Sequence, residues 1–118
     1  MLFRSTGDRL YRLPHHASFI VTPGDAAAPA EPVTGKTLVR QLNLAGIGIS
    51  AGSACQSGKL RPSPVLLAMG YSEAEALGGI RLTLGQQTAT ADIDWTARVL
   101  KQILDRLLLR SCAYSINL

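Results

Sequence analysis

Aromatic side chains are scarce in this sequence, with two phenylalanines, three tyrosines and one tryptophan among 118 residues. They do not interleave with the scattered arginines and lysines. No basic stripe or base-stacking platform is present, so the net charge of +4 does not read as nucleic-acid binding. No apolar run approaches the roughly 20 residues that a membrane-spanning helix needs. The N-terminus lacks a charged start followed by an apolar stretch, so no secretory signal is read there. Only two cysteines occur, Cys55 and Cys112. A lone disulfide would fit an unstapled domain of this size poorly, and the two are read as thiols of a cytoplasmic protein. Neither makes a pair with ligand spacing, and the adjacent His15 and His16 face opposite ways in an extended segment, so no metal site is expected. What is present is 47% hydrophobic and mostly aliphatic, enough for one domain with a modest core.

Along the chain, residues 1–8 are polar and unpatterned, and read as a loose lead-in to a domain over 9–109, with a tail at 110–118. Residues 17–22 are β-branched and aromatic, which predicts a strand. Three prolines and a glycine make 23–33 a loop. Thr34 can cap a helix over 35–45, with Leu38, Leu42 and Ala45 on one face and Gly46 as its stop. A second strand is expected at 47–50. Ser63 and Pro64 start a short helix over 65–69 closed by Gly70, and the serine and glutamates of 72–75 match a capping box. Gly78 and Gly79 then break the chain. Residues 80–84 alternate, which places Ile80, Leu82 and Leu84 toward a core and turns Arg81 and Thr83 away. Thr90 caps the last helix, with Asp92 and Asp94 in its first turn. Its apolar stripe runs through Ile93, Ala97, Leu100, Leu104, Leu107 and Leu108, with Ile103 at the flank. The resulting order, β-α-β-loop-α-β-α, predicts a small α/β domain, two-layered and α+β-like, with about three strands and helices on one side.

The chain is organised around residues 48–58, where glycines, serines and alanines surround Cys55. A core-filling cysteine belongs on an apolar face. One carried on a polar, glycine-containing loop points to thiol reactivity instead. Residues 52–59 imitate a phosphate-binding loop, but five residues separate Gly52 from Gly58 and Leu60 stands where a metal-binding hydroxyl belongs. The glycines at 46, 48 and 52 fit a dinucleotide fingerprint poorly. Arg81, on the non-core side of its strand, reads either as a solvated charge or as a guanidinium shaped for a carboxylate or phosphate.

The stretch 50–58 around Cys55, the stretch 61–70 that follows it, and the strand 80–85 with Arg81 together resemble the C-terminal part of cysteine desulfurases. These are pyridoxal-phosphate enzymes of the class V aminotransferase group. Arg12, Leu13 and Pro14 before the first strand, and Asp92, Ile93 and Asp94 in the last helix, are similar to the same family. The resemblance covers roughly 8–109. It implies the small domain of a fold-type I enzyme, with Cys55 as the nucleophile that takes sulfur from L-cysteine as a persulfide, leaving L-alanine. It implies Arg81 as the substrate-carboxylate ligand. The persulfide would pass to an acceptor or scaffold protein for iron–sulfur cluster assembly or thiolation. The lysine, aspartate and phosphate ligands that hold the cofactor in this family have no counterpart here, and Pro64 and the pair Gly78 and Gly79 depart from its pattern. The chain is therefore expected to bind no cofactor, to be inactive alone, and to associate as a homodimer through apolar surface left by a missing domain. A stand-alone persulfide relay is the alternative.

Overall fold

The computed structural model describes residues 2–22, 33–52 and 61–111. Its centre is the seven-residue strand His16–Thr22 (β2), whose side chains alternate between two covered faces. The sheet is completed by Leu2–Ser5 (β1), Ser50–Ala51 (β3) and Gly79–Thr83 (β4) in the order β1-β2-β4-β3, antiparallel throughout. Four helices pack on it: Gly35–Leu44 (α1), Pro64–Ala68 (α2), Glu73–Leu77 (α3) and Thr90–Ser111 (α4).

On one face, Val21 and Ile80 meet Leu38 and Leu42 of α1 and Val99, Leu100 and Ile103 of α4, with Phe19 and Leu82 at the margin. On the other face, Ile20 is fully buried against Leu66 of α2 and Ala76 of α3. Each buried side chain of this size contributes roughly 1.5–3 kcal/mol relative to exposure. Two glycines permit the close layers. A Cβ on Gly35 would meet the Gly79 carbonyl and, at 2.9 Å, the Ala51 Cβ, so the start of α1 rests directly on β3 and β4. A Cβ on Gly78 would collide with the Val21 carbonyl.

The expected α/β, α+β-like class is found, in three layers where two were expected, with four differences. Residues 2–5 are not a loose lead-in but an edge strand. Phe3 stacks on Phe19 at 4.6 Å, a contact between distant residues that four residues of sequence do not announce. The sheet accordingly has four strands. The helices are not on one side: α2 and α3 cover Ile20 on the face opposite α1 and α4. The strand expected at 47–50 shrinks to Ser50–Ala51, because Ile47 and Ile49 pack against the main core without joining the ladder.

The local capping signals hold. Thr34 accepts from the Thr37 N–H at 3.2 Å, and Ser63 from that of Leu66 at 3.4 Å. Ser72 and Glu75 form the reciprocal capping box. At α4 the expectation shifts by one residue. Thr90 is already helical, and the Asp92 carboxylate reaches back to the Ala89 N–H at 2.8 Å. The apolar stripe of α4 holds from Leu100 through Ile103, Leu104 and Leu107, with Val99 added, but not at its start, where Ala97 is exposed and Ile93 is 45% exposed. Leu84 was expected on the core face, yet it lies past the end of β4 and is exposed.

Candidate functional site

Arg81 occupies the middle of β4, opposite Ser18 on β2 and Ser50 on β3. Directly opposed residues of an antiparallel pair share a face. Arg81 and Ser18 therefore stand on the Ile20 side of the sheet, as does His16, two residues before Ser18. A cleft of about 400 Å³ opens over this side, with His16, Ser18 and Arg81 on its floor. Val65, Leu66 and Met69 from α2 and the turn after it form an apolar wall, and Asp8, Tyr11 and Arg12 the polar one.

The polar wall is held by local chemistry. Thr6 donates its N–H to the Ser18 carbonyl at 2.9 Å, and its hydroxyl to the Ser18 hydroxyl at 2.7 Å. Gly7 then turns at φ +80°, a conformation glycine adopts without strain. Asp8 accepts from the Leu10 and Tyr11 N–H groups at 2.7 and 2.9 Å, closing the turn that delivers Arg12 to the cleft. Those two donors, Tyr11 foremost, hold the Asp8 carboxyl below the usual aspartate range. Asp8 thus carries its charge toward the backbone of its own turn. Against it stand two guanidiniums, Arg12 and Arg81, so the cleft favours an anion.

Arg81 also donates from Nη2 to the Gly52 carbonyl at 3.3 Å. A guanidinium carries five N–H donors in a planar fork, so most remain for a second partner, and a carboxylate matches that fork. Cys55 lies outside the described residues. In the sequence it follows Gly52 by three positions.

The donor set does not suit pyridoxal phosphate, the cofactor the resemblance implies. Among the described residues, no lysine lines the cleft. Among the described residues Lys36 and Lys101 are exposed and ride on α1 and α4, the helices that cover the other side of the sheet. Nor does any group of three or more His, Cys, Asp or Glu among the described residues have the arrangement to hold a metal ion. No described helix is long and apolar enough to cross a membrane.

Sequence reasoning singled out Arg81 and Cys55 but not His16, Ser18 or Asp8, and it noted Arg12 only for its resemblance. The period-two spacing of residues 16 and 18 was available as a signal. Their pairing with a residue more than sixty positions later was not.

No protein-family model matches the chain. It is 41% identical over 85 residues to a cysteine desulfurase of Klebsiella pneumoniae, covering 72% of this chain and 21% of that protein. It is 37% identical over 101 residues to the cysteine desulfurase IscS of Dictyoglomus turgidum, covering 86% of this chain and 23% of the relative. The chain thus spans less than a quarter of the length of these relatives. In solved structures it is similar to a NifS-like protein, with a TM-score of 0.66 over 88% of this chain and 23% of the other, at 23% identity. A NifS-like protein from Rickettsia africae matches over 87% of this chain, also at a TM-score of 0.66. These two likenesses concern the fold.

Proposed function

The chain is a counterpart of the C-terminal portion of the cysteine desulfurases, and on that footing we propose that it supplies two groups to the conversion of L-cysteine to L-alanine. Arg81 binds the substrate carboxylate through its free guanidinium donors. Cys55, as the thiolate, attacks the substrate sulfur: a new S–S bond forms as the C–S bond breaks, and the bond's electron pair stays with carbon, which takes a proton to become the methyl group of L-alanine. In the parent enzyme, pyridoxal phosphate would supply the electron sink for such a cleavage, and the residues of this cleft are assigned no part in holding it. The persulfide then passes to an acceptor or scaffold protein. The observation that carries this reading is the position of Arg81, exposed on the cleft floor and bonded to Gly52, three residues before Cys55.

The chain alone, given L-cysteine and pyridoxal phosphate, is expected to release no sulfide. Exposed to a small-molecule polysulfide, it should gain one sulfur on Cys55 by mass spectrometry, and Cys55→Ser should not. Cofactor-dependent sulfide release by the purified chain would overturn the division of labour. Failure of Cys55 to accept sulfur would overturn its role.

A further inference from the structure

Arg81 is not alone on the cleft floor. β2 and β4 pair so that Ser18 faces Arg81 and His16 faces Thr83. His16 is thus the diagonal neighbour of Arg81 on the same side of the sheet. Diagonal positions lie about 7–8 Å apart, within reach of long side chains. Arg12 approaches the same space from the polar wall, on the turn fastened by Asp8. His16 is half-buried, and no hydrogen bond to another protein side chain holds its ring among the described contacts. Three nitrogen-bearing side chains from two strands and a turn therefore converge on one cleft, whose single carboxylate is engaged by backbone donors. The opposite wall is apolar and offers no competing charge.

We propose that His16 and Arg12 bind the same ligand as Arg81, making the cleft a three-point site for a small amino-acid carboxylate. Arg81 takes the carboxylate in its fork. His16 donates a ring N–H to the carboxylate oxygen that faces β2, and Arg12 closes over the anion from the turn. The inference rests on the reading of Arg81 as a carboxylate ligand and extends it to residues from the other end of the chain. It also gives the Asp8 turn a purpose: the turn fixes the direction from which Arg12 approaches.

The test is a titration of the 118-residue chain with L-alanine and, separately, with L-cysteine under reducing conditions, followed by NMR. The His16 ring Cε1–H and the Arg81 and Arg12 Nε–H signals are read together. All three are expected to move with one shared Kd. His16→Ala should weaken that Kd about tenfold, the size expected of one hydrogen bond to a charged group. His16→Asn, which keeps an N–H donor, should recover most of the loss. Amide spectra of each variant report whether the fold is intact. If Arg81 responds and His16 does not, or if His16→Ala binds as the parent chain does, the proposal fails while the role of Arg81 stands. If none of the three responds to either amino acid, both fail. If His16→Ala proves unfolded, His16→Asn and the ring signal of the unmodified chain still decide the matter.

Discussion

Arg81 and Cys55 differ in how much of their role rests on surroundings. A guanidinium becomes a ligand only through what stands beside it, and for Arg81 this is the Gly52 carbonyl, Ser18 and the cleft. A thiol on a glycine- and serine-rich stretch needs exposure above all. Cys55 is accordingly expected to react with iodoacetamide at a rate close to that of a small free thiol. Peptide mapping separates it from Cys112. Protection in the folded chain that denaturant lifts would identify it as a core cysteine. Gly78 shows the reverse dependence, since nothing in its neighbours along the chain signals that a carbonyl of β2 occupies the place of its Cβ.

Among the elements, the shortest helices carry the most explicit instructions. α3 has only five residues, yet Ser72 accepts from the Glu75 N–H at 3.2 Å and Glu75 accepts from the Ser72 N–H at 2.9 Å. Glu75 also meets Arg4 of β1 at 3.2 Å, tying the helix to the edge strand. The Ser72 backbone donor, chiefly, and the Arg4 charge hold the Glu75 carboxyl below the ordinary glutamate range. A carboxyl lowered in the folded state stabilises the fold above its unfolded pKa, near 4.3, and loses that contribution as pH falls through the lower folded value. Thermal unfolding is therefore expected to be flat from pH 7 to about 5 and to decline below about 4.3. Glu75→Gln should lower the neutral-pH midpoint and flatten part of the acid limb. An acid limb identical in Glu75→Gln and the parent chain would remove Glu75 from the account. Asp8, lowered by its own backbone donors, adds to the same limb at the more acid end.

At the scale of the whole molecule, a main core and a smaller one share a four-stranded sheet, while large apolar side chains remain outside both. Phe3, Leu84, Ile93 and Trp95 are 40%, 43%, 45% and 53% exposed, and they line one groove of about 670 Å³. Exposed apolar surface gathered in one place promotes association. The chain is expected to sediment as a concentration-dependent dimer or larger species, and replacing Trp95 and Ile93 together by serine should shift it toward monomer. A clean monomer at high concentration would show that the groove draws no second copy.

The amino-acid sequence by itself determined the capped helix starts at Thr34, Ser63 and Ser72, the alternation that turns Arg81 away from Ile80, and the small-residue setting of Cys55. Each depends on neighbours within a few positions, where propensity, capping and periodicity operate. Tertiary structure alone decided that residues 2–5 form a strand, that α2 and α3 cover the second face, and that His16, Ser18 and Arg81 share one floor. Strand pairing is chosen by which faces can be buried together, and a shift of one residue would send His16 and Ser18 to the opposite side. That choice is made by the packing of Ile20 on Leu66 and of Val21 on the main core, contacts between segments that carry no mark of one another.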